Sequence, residues 1–144
     1  MKRALLLLTL VTLFLGSTVA QTKLLADTAK TKMVWLGEKV TGEHSGTIRL
    51  QSGWLNWKDN RIVSGEFHVD MTSIKDKEKN ARLEGHMKSD DFFGVEKYPV
   101  AKLVITGSTP FDKGSGVVTG NLTIKDISNP VEFKAAMQKK DDGT

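Results

Sequence analysis

Glu66-Phe67-His68-Val69-Asp70-Met71 is the run on which the reading of this chain turns. Apolar and polar residues alternate without a slip. Phe67, Val69 and Met71 share one face, and Glu66, His68 and Asp70 share the other. A period of two marks a strand with one side in a core and the other in water. The pattern recurs on both sides of the run. Upstream, Ile48 and Leu50 share a face of Thr47–Gln51, Gly53 to Trp57 extends the sheet, and Lys58-Asp59-Asn60 is a hairpin turn before Arg61-Ile62-Val63. Downstream, Ala101, Leu103 and Ile105 alternate with Lys102, Val104 and Thr106. Val118, Leu122 and Ile124 alternate with Thr119, Asn121 and Thr123. Phe111 to Gly116 is a hairpin loop, and Asn129-Pro130 a further turn before Val131, Phe133 and Ala135. Short alternating strands with turn signals at intervals of about 8–12 residues predict an all-β antiparallel fold, sandwich or barrel.

Other stretches read differently. Gln21 to Lys30 is a polar lead-in without periodicity. Lys32 to Leu36 is apolar on both faces, which predicts a strand covered on both sides. Gly42-Glu43-His44-Ser45-Gly46 reads as a turn or bulge. From Asp76 to Met87 the residues are charged and helical, with Leu83 and Met87 at i and i+4 on a narrow apolar stripe. Next, Ser89 is placed to cap a helical turn, with Asp90 and Asp91 in its first positions. Phe92 and Phe93 are adjacent and cannot share a face, so they plug an interior from its rim. Gly94 permits a left-handed exit, and Pro99 holds Tyr98 extended. On spacing alone this is a well-packed crossover loop.

The order of three segments carries a family resemblance. His86-Met87-Lys88-Ser89-Asp90-Asp91-Phe92-Phe93 followed by Tyr98-Pro99 resembles the signature of the YceI-like family of lipid- and polyisoprenoid-binding proteins. His44-Ser45-Gly46 and Gly120-Asn121-Leu122-Thr123-Ile124-Lys125 with Asn129-Pro130-Val131 agree, and the likeness runs from about Asp27 to Phe133. Asp126 and Ser128 depart from it, where the family more often has Gly and Thr. The resemblance implies a lipocalin-like, eight-stranded β-barrel around an elongated cavity, with one short helix between strands. Family members usually continue for two more strands, including an Arg-rich closing segment, and neither follows Thr144. The expectation is therefore a C-terminally truncated, incomplete barrel.

The chain has 144 residues, enough for one domain. Met1-Lys2-Arg3, the apolar Ala4–Leu15 and Thr18-Val19-Ala20 predict a Sec signal peptide over residues 1–20, leaving 21–144 as the barrel domain. No cysteine is present for acylation, disulfides or thiolate metal sites, so the expected location is periplasmic or secreted and the core alone must hold the fold. The net charge is +4, and losing Lys2 and Arg3 leaves it too small for a nucleic-acid footprint.

Catalytic chemistry finds little support. No Ser lies in a nucleophile elbow, and no phosphate loop is present. Glu66 and Asp70 stand about 13 Å apart along one strand face, too far for two carboxylates to share a bond. His44, His68 and His86 are too widely spaced for a compact metal motif, so no metal is expected. The expectation is a binding protein with no catalytic residue and no cofactor; the family resemblance implies an isoprenoid lipid or quinone as bound ligand.

On composition alone the inward residues would fill their own core. The resemblance implies instead that they line a lipid cavity: Ile48, Leu50, Phe67, Val69, Met71, Leu103, Ile105, Leu122 and Ile124, with Leu83, Met87, Phe92 and Phe93 over its end. His44, Ser45 and His86 are candidate head-group contacts at the mouth. At ~0.8 kcal/mol per CH₂, a forty-carbon tail resists release into water by roughly 30 kcal/mol, so loading requires transient membrane contact. The implied partners are a hydrophobic small molecule, a membrane surface and, as in related proteins, a second copy in a homodimer. Two rivals stay open: a stress-response or interaction module working from its surface, and an enzyme on a lipocalin-like scaffold.

Overall fold

The central alternation becomes two long strands joined by a tight turn. The computed structural model describes residues 20–39 and 42–140, so the expected signal peptide lies almost wholly outside the described residues. β3 (Gly42–Lys58) and β4 (Arg61–Asp76) pair antiparallel, with Leu50 opposite Val69 and Gly53 opposite Phe67. Asp59 and Asn60 both take positive φ, 51° and 60°, as a two-residue hairpin turn requires. β5 (Val100–Ser108), β6 (Ser115–Ile124) and β7 (Ile127–Ala136) extend the sheet from β4. β1 (Thr22–Leu25) and β2 (Met33–Lys39) both pair with β3, on different halves of its length. α1 (Ala81–Lys88) links β4 to β5.

The result is one seven-stranded antiparallel sheet curled into a half-barrel. The antiparallel, lipocalin-like reading holds, but the described residues hold seven strands rather than eight. Among the described residues, β7 pairs only with β6, and β1 and β2 only with β3, so the two edges do not meet. Curvature enters at register shifts in the β3–β4 and β5–β6 ladders. The largest lies at Asp70–Ser73. There Ser73 Oγ accepts the Arg49 N–H (2.8 Å) and donates to the Asp70 carbonyl (2.6 Å), and the Asp70 carboxylate accepts the Thr72 N–H (3.0 Å). This patch resets the alternation, turning Ile74 and Asp76 inward where the earlier period would not.

Other expectations are corrected. The lead-in contributes β1, with Leu24 paired to Leu55. Gly42–Gly46 is not a turn but the start of β3. Gly46 is needed for close packing, since a Cβ there would overlap the Lys75 carbonyl and the Trp35 indole, whose Nε1 donates to that carbonyl (3.0 Å). Asn129-Pro130 lies within β7, and the turn falls at Lys125-Asp126, both at positive φ. Pro130 is tolerated because β7 is an edge strand. β2 is not covered on both sides: Val34 and Leu36 are 80% and 59% exposed.

The concave face carries two apolar clusters. In one, Ile62, Ile105, Phe111 and Val118 are buried, with Leu55, Trp57, Phe67, Leu103 and Ala135 against them. In the other, Met71, Val95 and Ala101 are buried, with Ile48, Val69, Phe93 and Ile124 packed around them.

Candidate functional site

The charged segment before α1 does not extend the helix as expected; it makes a turn that aims it. Asp76 is buried, and its Oδ2 accepts the backbone N–H groups of Glu78 and Asn80, both at 3.1 Å. Lys79 then takes φ +58°, and Asn80 caps the helix by accepting the Leu83 N–H at 3.1 Å. Glu84 ties α1 back to β4 by accepting the Asp76 N–H at 2.9 Å. An eight-residue helix has little stability of its own, so these ties and the burial of Met87 hold it.

Ser89 ends α1 rather than starting a helical turn. Both its N–H and its Oγ donate to the His86 carbonyl. Asp90 and Asp91 are exposed in the following turn and serve no helix dipole. Its backbone is held by Phe92 and Gly94 N–H groups on the Ser89 carbonyl and by the Phe93 N–H on the Met87 carbonyl. Lys125 Nζ donates to the Asp90 and Phe92 carbonyls from the β6–β7 turn. Gly94 takes the expected left-handed conformation at φ +53°.

This frame fixes two aromatic rings in different settings. Phe93 is half-buried against Met71, Val95 and Ala101. Phe92 is 49% exposed, edge-on to Phe93 at 4.6 Å and 5.9 Å from the His86 ring. The pair is the shared wall of two clefts. One, of about 430 Å³, lies between β2 and α1 and is lined by Trp35, Leu36, Gly37, Ile74, Leu83 and Met87, with Lys39, Glu38, His44 and His86 at its rim. The other, of about 410 Å³, lies toward β7 and is lined by Leu122, Ile124, Ile127 and Val131. The first is within the usual size for a small-molecule site and has the usual character, apolar walls with a few polar groups.

The structure divides the expected site residues into groups. Leu83, Met87, Phe92, Phe93, His44 and His86 meet at the first cleft, and Leu122 and Ile124 line the second. Leu50, Met71 and Ile105 are buried, while Ile48, Phe67, Val69 and Leu103 are half-buried in the two clusters. Ser45 stands apart, because strand alternation turns it opposite Leu36 and into a groove of about 980 Å³ with Val34, Thr47, Lys75, Lys77 and Lys79. Trp35, Gly37 and Ile74 were missed as cleft residues. Trp35 and Val34 are equally apolar in sequence, and only the β2–β3 register shows which one faces in. Among the described residues, no group of three or more His, Cys, Asp or Glu is placed to hold a metal ion. His68 pairs with Glu66 at 2.6 Å on the outer face, away from the clefts.

Comparison with known proteins adds a family and a fold. The family model described as the YceI-like domain matches residues 25–144. A UPF0312 protein of Pseudomonas putida strain W619 is 32% identical over 90 residues, covering 62% of this chain and 47% of that protein. A UPF0312 protein of Shewanella denitrificans is 32% identical over 92 residues with the same coverage. The chain spans about half the length of these relatives. In structure it is similar to Burkholderia cenocepacia BcnA, with TM-score 0.66 at 21% identity over 79% of this chain and 72% of that one. It is also similar to a Campylobacter jejuni YceI protein, with TM-score 0.51 at 18% identity over 99% and 74%.

Proposed function

The chain belongs to the YceI-like family, and on that premise we propose that it is an exported binding protein, not an enzyme, that holds an isoprenoid or similar lipid for carriage or sequestration in the periplasm. The observation that carries this reading is the apolar cleft of about 430 Å³ under Phe92 and Phe93, walled by Trp35, Ile74, Leu83 and Met87. Its walls offer burial without a nucleophile or a facing carboxylate pair, which suits retention of a tail rather than bond making. Loading by transient membrane contact has a surface to use. Val34 and Leu36 project from β2 beside Lys75, Lys77 and Lys79, apolar tips rimmed by cations. Self-association as a homodimer would draw on the outer edge of β7, which pairs with no strand among the described residues.

The test is mass spectrometry of an organic extract from protein expressed with its leader and purified from the periplasmic fraction. A stoichiometric isoprenoid or quinone-tailed species is the expected result. An empty protein that also takes up no labelled isoprenoid from vesicles would overturn the reading. In that case the exposed Val34 and Leu36 favour the rival reading, an interaction module that works from its surface.

A further inference from the structure

We propose that the outer face formed by β2, the start of β3 and the end of β4 is a docking surface for an anionic phospholipid bilayer. This rests on the lipid-binding reading, whose loading step needs a membrane, and specifies which face meets it and which lipids attract it. The face follows the groove of about 980 Å³. One strand separates it from the apolar cleft, with Trp35 and Leu36 bordering both.

Strand register builds this face from three columns. Val34 stands opposite Thr47, and Thr47 opposite Lys75. Leu36 stands opposite Ser45, whose carbonyl accepts the Lys77 N–H at 2.8 Å. Residues directly opposite each other in a sheet share a side, so each rung runs from an apolar residue through a hydroxyl to a lysine. Lys79, two residues past Lys77, prolongs the cationic column along the groove. The next rung, Glu38 opposite Glu43, is acidic and ends the face.

These columns suit a lipid surface better than an acidic protein segment. Val34 and Leu36 are mostly exposed, so their tips project instead of lining a pit. Lys77 and Lys79 are exposed, and among the described residues no carboxylate lies within ion-pair distance of either. Lys75 is shared with Glu84 at 3.7 Å. Ammonium groups on flexible stems can follow a plane of phosphates, whereas capture of a single carboxylate favours the fixed fork of Arg. Arg49, farther along β3, is already held by Asp70 at 3.2 Å. Apolar tips then enter the head-group boundary while the lysines stay at phosphate level, each contributing about fivefold in affinity. So few groups make a reversible contact, as loading and unloading require.

The experiment is flotation with vesicles of phosphatidylcholine alone or mixed with phosphatidylglycerol. The purified protein is expected to bind the mixed vesicles at least about tenfold more tightly, by a margin that shrinks as salt rises. Lys77→Gln/Lys79→Gln should lose about tenfold or more on them. Lys102→Gln/Lys134→Gln, which removes the same charge from exposed positions on β5 and β7, should lose less than about threefold. The chain has no cysteine, so Val34→Cys and Lys134→Cys can each carry one environment-sensitive dye. Mixed vesicles should shift the dye at position 34 to the blue and leave the dye at 134 unchanged. Equal binding of the two vesicles overturns the anionic preference, and equal losses in the two lysine variants, or equal dye shifts, overturn the face. A shift at 34 that follows protein concentration without vesicles assigns the face to a second copy and overturns the bilayer. So does polyglutamate, if it shifts that dye where vesicles do not. A protein that carries isoprenoid yet ignores both vesicles overturns the docking face and leaves the lipid-binding reading standing. Docking through position 34 by a protein that neither carries nor takes up isoprenoid upholds the face and overturns that reading.

Discussion

Two loops drive aromatic rings toward the concave face of this half-barrel, and they do so on opposite terms. Phe111, from the β5–β6 loop, is 6% exposed among Ile62, Ile105 and Val118, with Trp57 edge-on at 5.1 Å. Its backbone is clamped as well: its N–H donates to the Asn60 carbonyl, and its own carbonyl accepts from Asn60 Nδ2 at 2.7 Å. Phe92, from the turn after α1, has half its ring in solvent and a cleft on either side. Its backbone is held almost as well as that of Phe111, so the difference lies in what each ring meets. One end of the sheet is sealed by a core residue. The other is closed by a ring that can leave without opening the core.

The sharpest way to break this comparison is at the sealed end. Phe111→Ala is expected to cost about 3–5 kcal/mol, the usual loss for a buried Phe whose site cannot collapse. Urea unfolding measures it, and a loss under about 1 kcal/mol would show that the plug is not core. Phe93→Ala comes next. Its ring is half-buried in the Met71, Val95 and Ala101 cluster, so about 2 kcal/mol is expected, a value between the plug and the gate. If Phe93→Ala instead costs as much as Phe111→Ala, the mouth end is core too, and the contrast fails.

How legible the two ends were in sequence follows from the kind of signal each sends. Glu66 to Met71 fixed strand and face, because period two survives wherever one side is buried. The Asp59-Asn60 turn was equally plain, since those residues tolerate positive φ. The β7 hairpin was misplaced because Asn129-Pro130 looks like a turn, while Lys125-Asp126, the actual turn, does not. Pro130 is decided by β7 being an edge, which is tertiary information. Ser89 failed for a similar reason: the side chain that caps a helix start can also bond back to a helix end, and its neighbours did not tell which. Of the cleft, Leu83, Met87, Phe92 and Phe93 were legible as a stripe and a plug. Trp35 and Ile74 were not, because their inward turn depends on the β2–β3 register and on the bulge at Asp70–Ser73.

That bulge offers a smaller perturbation of the mouth alone. The Asp70 carboxyl is held below the ordinary carboxylate range, first by the Thr72 hydroxyl and then by Arg49, with desolvation opposing them. A depressed folded pKa means stabilisation that is present above the unfolded value, about 3.9, and is lost as pH falls through the lower folded value. Arg49 is largely exposed, so most of the effect belongs to the local Thr72 bonds. Acid should therefore loosen Ile74 and the docking of α1 before it reaches the sealed end. Hydrogen exchange at pH 3 against pH 6 is expected to show faster opening around residues 74–88 than around Phe111. Asp70→Asn should already show that pattern at pH 6. Uniform loosening along the chain would mean that the bulge does not support the mouth.

Phe92→Ala should have the smallest effect on stability and a clear one on exchange. The ring is 49% exposed and contributes to neither buried cluster, so its loss is expected to change unfolding free energy by no more than about 1.4 kcal/mol, less than for Phe93 or Phe111. Its remaining contact area divides the two clefts and rests against His86 and Phe93. Removing roughly half the burial of a Phe from the path of a ligand lowers the barrier by about 1.4 kcal/mol, or about tenfold in rate. Transfer of a fluorescent isoprenoid between the protein and vesicles reads this directly, and Phe111→Ala, measured under conditions where it stays folded, serves as its counterpart. If Phe92→Ala speeds transfer about tenfold while Phe111→Ala leaves it unchanged, the two rings divide gating from sealing. If both variants transfer at the original rate, the Phe92 ring does not lie on the ligand's path, and the clefts on either side of it are not one route.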